Sequence, residues 1–109
     1  MADVLGSFEQ AVLVSILRLR EDAYGSAIVT EVQSRLERDV AVGAVHATLV
    51  RLENKGLLSS RVAEGTPVRA GRPRRYYAVE ANGLRALDEA RKALSQIWRG
   101  IRLPIMEET

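Results

Sequence analysis

The 109-residue sequence contains no cysteine and a single histidine, His46. The absence of cysteine excludes a disulfide framework, a thiol nucleophile and thiolate metal sites. One histidine cannot form a histidine cage for a metal or a histidine proton relay. No phosphate-cradling glycine loop occurs, and no carboxylate pair sits at metal-ligand spacing with a histidine, so we expect neither an enzyme nor a bound cofactor or metal.

Long apolar runs are also missing. No stretch of 18 apolar residues exists, so no membrane span is predicted. The first seven residues lack the basic and apolar segments of a secretory signal, and we expect a cytoplasmic protein without membrane contact. The overall composition, 47% hydrophobic and 28% charged, is that of one ordinary globular domain.

Positive charge is concentrated in one segment although the net charge is only +2. Residues 61–77 contain five arginines and one acidic residue, Glu64. A basic cluster on a nearly neutral body is typical of a protein that binds a polyanion.

Apolar spacing predicts three helices in the first half of the chain. Ser7 and Gln10 fit a capping box that starts the first helix at Phe8. Tyr24-Gly25-Ser26 opens the second helix. The third follows residues 39–43, which are interpreted as an apolar link or residual strand, and ends at Lys55 with Gly56 as a left-handed cap.

A hairpin and a fourth helix complete the predicted architecture. Residues 57–62 alternate as a half-buried strand, and residues 74–79 form the return strand. The fourth helix covers about 81–99, and its apolar residues recur with the 3.5-residue period of a coiled-coil seam. A second copy of the same helix is the available neighbour.

This order of elements predicts a mainly α fold with a small β-hairpin, namely a winged helix-turn-helix followed by a dimerisation helix. We divide the chain into a DNA-binding domain at 1–80 and a C-terminal helix and tail at 81–109. In such a fold the third helix enters the major groove and the arginines of the wing contact phosphates. Arg51 could reach a guanine edge or a phosphate, and Ala47 or Thr48 a thymine methyl group.

Three stretches of sequence resemble the PadR family of bacterial transcriptional regulators. They are Ala23-Tyr24-Gly25-Ser26-Ala27-Ile28, the run from Gly43 to Leu57, and Gly71-Arg72-Pro73-Arg74-Arg75-Tyr76-Tyr77-Ala78-Val79. His46 stands where that family usually has tyrosine. The resemblance implies a homodimer joined through the C-terminal helix, and repression at an inverted-repeat operator that a small molecule relieves.

The candidate residues fall into three groups. The predicted DNA contacts are Tyr24, Ser26, Ala44, His46, Ala47, Thr48, Arg51, Arg69, Arg72, Arg74 and Arg75. The predicted dimer contacts are Phe8, Val12, Leu87, Ala90, Leu94, Ile97, Trp98 and Ile101. Trp98, with Leu94 and Val12, is a candidate site for a small aromatic effector, although a plain packing role is favoured for Trp98.

Two other functions are compatible with the sequence. One is a dimeric winged-helix adaptor whose arginines bind an acidic protein. The other is an RNA-binding winged helix in which Tyr76 or Tyr77 stacks on unpaired bases. Binding to double-stranded DNA distinguishes the regulator from both.

Overall fold

The computed structural model describes residues 4–63 and 73–105. Its elements are α1 (Ser7–Leu19), a 3₁₀ turn (Arg20–Asp22), α2 (Gly25–Leu36), α3 (Val42–Asn54), β1 (Leu58–Val62), β2 (Arg75–Val79) and α4 (Ala81–Trp98). The predicted winged helix-turn-helix with a C-terminal helix is confirmed. Two differences are local: residues 39–41 form no strand, and α1 is capped by Gly6.

The core lies where α1, α2 and α3 meet. Each of these helices contributes apolar residues at helical spacing, among them Leu13, Ile28 and Leu52, which are fully buried. The turn after α3 is as predicted. Gly56 has a φ of +77°, and its N–H donates to the carbonyl of Glu53 while that of Leu57 donates to Leu52.

The hairpin pairs β1 with β2 in antiparallel register, with Leu58 opposite Val79 and Val62 opposite Arg75. Alternation along β2 turns Tyr77 into the core and leaves Tyr76 half-buried on the other side. The hairpin is attached to the helical body because the N–H of Tyr77 donates to the carbonyl of Ala23 at 2.8 Å.

The fourth helix begins directly after the hairpin and packs against it closely at Gly83. A Cβ atom at Gly83 would overlap the carbonyl oxygen of Leu57 and come 2.8 Å from Cγ1 of Val79. The same carbonyl of Leu57 accepts the N–H of Glu80 at 2.9 Å. The start of α4 is therefore fixed on the base of the hairpin.

Two expected dimer contacts are wrong because the residues lie inside one protomer. Val12 has no exposed surface and Ala90 is 3% exposed, so neither can contact a second chain. Val12 is likewise excluded from an exposed effector site. Phe8 and Leu87 are half-buried and pack against the core, whereas Leu94, Ile97, Trp98 and Ile101 are exposed.

We expect Gly83→Ala to destabilise the fold by about 1–3 kcal/mol, because the methyl group has no space and its neighbour is backbone. Urea denaturation measures the change. Gly43→Ala is the matched control, since nothing lies within 4 Å of its Cβ position in α3. Alanine there should leave the free energy of unfolding unchanged or raise it by up to about 1 kcal/mol. Equal effects at both positions would contradict close packing at Gly83.

Candidate nucleic-acid interface

The first turn of α2, one flank of α3 and the arginine-bearing end of the hairpin surround an open cleft, which we call the wing cleft. Its volume is about 590 Å³. It is lined by Tyr24, Gly25, Ser26, His46, Pro73, Arg74, Arg75 and Tyr77. Five of the predicted DNA contacts, Tyr24, Ser26, His46, Arg74 and Arg75, are thus brought together, although they come from three separate parts of the sequence.

Two tyrosine rings that contact each other lie between two arginine side chains beside the wing cleft. The guanidinium of Arg74 lies 4.0 Å from the centre of the Tyr24 ring. The Tyr24 ring meets that of Tyr76 edge to face, with 5.8 Å between centres, and Arg61 lies 5.2 Å from the centre of the Tyr76 ring. We call this set the arginine–tyrosine stack. An arginine stacked on a ring keeps its N–H edge available for a phosphate.

Arg75 is positioned differently, by a chain of polar side chains. Its Nη1 donates to Oγ of Ser60 at 3.0 Å, and that hydroxyl lies 2.8 Å from Oε2 of Glu53, to which it donates.

Burial raises the pKa of the nearby Tyr77 hydroxyl, and although the positive charge of Arg75 opposes this shift, the pKa is raised above its ordinary value. Tyr77 is therefore neutral at ordinary pH, and the positive charge of this end of the hairpin is carried by the arginines.

The third helix exposes a different set of residues from the predicted one. Ala44, His46 and Ala47 are exposed as expected, but the predicted orientation of Thr48 is wrong. Thr48 is 3% exposed because it lies between Val45 and Leu52 on the buried stripe of α3. Its side chain is thereby removed from the surface that could meet a base.

Arg51 is engaged by the protein itself. Its Nε lies 3.4 Å from Oε2 of Glu9, and its Nη2 donates to Oγ1 of Thr48 at 3.3 Å. Lys55 lies 3.5 Å from the same Glu9 oxygen, and Oε1 of Glu9 accepts the N–H of Gly6 at 3.1 Å. Glu9 therefore joins the start of α1 to the last turns of α3. We call this group the Glu9 cluster.

Sequence reasoning missed the roles of Glu9, Arg61 and Tyr76. Glu9 contacts residues more than 40 positions away, and no local pattern indicates such a pair. Arg61 and Tyr76 could have been found, because they are directly opposite each other in the strand register. The predicted contacts Arg69 and Arg72 lie outside the described residues.

The described residues contain no group of three acidic or histidine side chains that could hold a metal ion. Within the same ranges no helix is long and apolar enough to cross a membrane. The wing cleft offers groups that can bind an anion: backbone N–H groups at the start of α2, two arginines and one imidazole around an open groove.

The electrostatics of the Glu9 cluster predict a pH-dependent stability. Partial burial raises the pKa of Glu9, but the Gly6 hydrogen bond, Lys55 and Arg51 together lower it below its ordinary value of 4.5. Because the pKa is depressed in the folded state, the stabilisation is present above about pH 4.5 and is lost as the pH falls through the folded-state pKa.

We therefore expect Glu9→Gln to reduce the free energy of unfolding by about 0.5–1 kcal/mol at pH 7 and by less at pH 3. Urea denaturation at the two pH values measures it. The control is Glu31→Gln, which breaks one exposed pair with Arg35 and should cost about 0.3–0.5 kcal/mol at pH 7. A loss of equal size at pH 3 and pH 7 for the Glu9 variant would contradict a charge-based role.

Comparison with known proteins agrees with this architecture. Residues 12–89 match the model of the transcriptional regulator PadR-like family. Among solved structures, the chain is similar to a PadR family transcriptional regulator from Eggerthella lenta, with 30% identity and a TM-score of 0.64 over 82% of this chain and 75% of that one.

A PadR-like transcription factor from Bacteroides fragilis is 29% identical, with a TM-score of 0.65 over 82% of this chain and 81% of that one. A PadR family transcription regulator from Clostridium difficile is 26% identical, with a TM-score of 0.60 over 85% of this chain and 88% of that one. No curated protein matches the chain.

Proposed function

The chain belongs to the PadR-like family of transcriptional regulators, and from that premise we propose that it is a homodimeric repressor that binds an inverted-repeat operator in double-stranded DNA. The observation that carries the proposal is the wing cleft, where stacked and hydrogen-bonded arginines flank the exposed side of α3. In this arrangement α3 enters the major groove while the hairpin contacts the adjacent backbone. The protein acts in the cytoplasm, where the DNA is.

The residues of the wing cleft bind the phosphate backbone of the DNA. Arg74 and Arg75, together with the N–H groups at the start of α2 and the hydroxyls of Tyr24 and Ser26, contact phosphates and fix the register of the protein on the duplex. His46 contacts the backbone from the flank of α3. These contacts supply affinity that depends strongly on salt.

Selection from a random pool of duplex DNA, repeated at two salt concentrations, tests the proposal. We expect an inverted repeat to be recovered, with affinity that falls steeply as salt rises. Binding without sequence preference would refute an operator-reading regulator and favour a general polyanion surface. A preference for single-stranded RNA would refute it in favour of the RNA-binding alternative.

We expect Arg74→Ala and Arg75→Ala, alone and combined, to weaken binding to all duplex sequences. Each phosphate that an arginine neutralises contributes about 0.9 to the slope of log affinity against log salt, so a single substitution, which is present in both protomers of the dimer, should reduce that slope by about 1.8. Arg85→Ala is the control, since it removes the same charge from an exposed position on α4, where Nη2 of Arg85 donates to Oδ1 of Asn82. An unchanged salt slope in the double variant would contradict phosphate binding by the hairpin.

The dimer proposal depends on the exposed apolar stripe of α4. Leu94, Ile97 and Trp98 are 54%, 70% and 47% exposed, and Ile101 beyond the helix is 59% exposed. Leu94 also lines a largely apolar cleft of about 350 Å³ between α1 and α4, with Leu17, Leu84 and Leu87. Such a surface on one helix is typical of a subunit interface. A second α4 packed along it covers these residues.

We expect Ile97→Asp to convert the dimer into a monomer, because a charge in an apolar interface loses hydration without gaining a partner. Analytical ultracentrifugation measures the change. Gln96→Asp is the control, since Gln96 lies on the side of α4 opposite the apolar stripe and also gains a negative charge. A monomeric wild-type chain, or the same shift in both variants, would contradict this interface.

We also propose that an aromatic small molecule relieves repression by binding beside Trp98 and Leu94 where two protomers meet. The support is the exposed indole next to the apolar stripe, since a flat ring is a good stacking surface for an aromatic ligand. Quenching of the fluorescence of the single tryptophan by the ligand, with release of DNA at the same concentration, is the expected result. Quenching without release would contradict the regulatory role.

A further inference from the structure

The outward side of α3 carries almost no hydrogen-bonding side chain. Gly43, Ala47, Val50 and Asn54 are exposed and recur at spacings of four, three and four residues, which places them on one line opposite the buried stripe. We call this line the outward face of α3. Val50 is 45% exposed, and Asn54 is the last residue of the helix.

The two polar neighbours of the outward face lie on its flanks. Arg51 lies on the α1 side of α3, where Glu9 and Thr48 accept its N–H groups. The Arg51 side chain is 49% exposed, but its guanidinium is directed toward the Glu9 carboxylate, which is 16% exposed. His46 lies on the opposite flank, in the wing cleft with Tyr24 and Arg74. Neither side chain lies along the line that enters the groove first.

The major groove offers one apolar group to a protein, the C5-methyl group of thymine. The outward face of α3 offers apolar side chains at Ala47 and Val50, and Gly43 allows the backbone to approach closely. We propose that Ala47 and Val50 read thymine methyl groups in each operator half-site, and that Arg51, which is directed toward Glu9 on the α1 side of α3, contributes no base discrimination. This inference rests on the proposed function and names the bases that it recognises.

Replacement of thymine by uracil tests the inference, because uracil lacks only the methyl group. The probe is the duplex recovered by selection with the wild-type chain, with each thymine replaced in turn. We expect affinity to fall about four-fold at one or two positions of each half-site, the value of one buried methyl group. Replacement at thymines outside the half-sites should change nothing.

A second arm assigns the effect to a residue. Val50→Ala should weaken binding to the thymine duplex, but it should weaken binding to the uracil duplex at the matching position little or not at all, because uracil has no methyl group for Val50 to meet. Val50 is exposed, so this variant is expected to fold normally. Arg51→Ala should leave the base preference of each position unchanged, whereas removal of an arginine that read guanine would reduce discrimination about five-fold or more.

The outcomes separate the two levels of the proposal. A chain that binds no duplex with sequence preference refutes the proposed function and this inference with it. A chain that binds its operator equally well with uracil at every position leaves the proposed function standing and overturns the reading by Ala47 and Val50. A loss of guanine preference in Arg51→Ala overturns the proposal that Arg51 contributes no base discrimination.

Discussion

The contact between the hairpin and the start of α2 determines the position of every part of the candidate interface. One backbone hydrogen bond from Tyr77 to Ala23 and the buried ring of Tyr77 attach β2 to the helical body. With β2 in that place, Tyr24 and Tyr76 meet, Arg74 stacks on Tyr24, and the wing cleft opens beside α3. If the hairpin were attached elsewhere, the same arginines would not lie together on one side of the wing cleft.

The arginine–tyrosine stack gives this surface rigidity that charge alone does not. A free arginine loses considerable side-chain entropy when it binds a phosphate. Arg74 has already lost part of that freedom, because the Tyr24 ring restricts its guanidinium. Part of the entropy cost of ordering the Arg74 side chain is therefore incurred during folding, so that less entropy is lost when Arg74 binds a phosphate. The Glu9 cluster has the opposite effect on Arg51, because it directs the guanidinium toward α1 and not toward the outward face of α3.

Much of the fold could be predicted from the sequence because its signals are local. The helical spacing of α1 to α4, the cap at Gly56 and the alternation along β1 each depend on residues within a few positions of one another. The failures have physical reasons. The polar hydroxyl of Thr48 favours a surface position, yet its place between Val45 and Leu52 puts it on the buried stripe.

Contacts between distant parts of the chain could not be predicted in this way. An apolar residue such as Val12 suits a subunit interface and a protomer core equally well, and only the packing of the other elements over α1 shows that it is core. The contact of Glu9 with Arg51 joins positions 42 residues apart, and only the packing of α1 against α3 creates it. Sequence patterns therefore predict which elements form, whereas the partners of individual side chains follow from the assembled fold.

The close packing at Gly83 has a mechanical consequence. Because the carbonyl of Leu57 occupies the space of a side chain there, the first turn of α4 packs directly on the backbone of the hairpin, and a change in the angle of the helix would disturb this contact. An 18-residue helix is about 27 Å long, so a tilt of roughly 5° at Gly83 would move its far end by about 2 Å. The packing at Gly83 therefore determines the distance and the angle between the wing cleft and a partner that binds to the apolar stripe of α4.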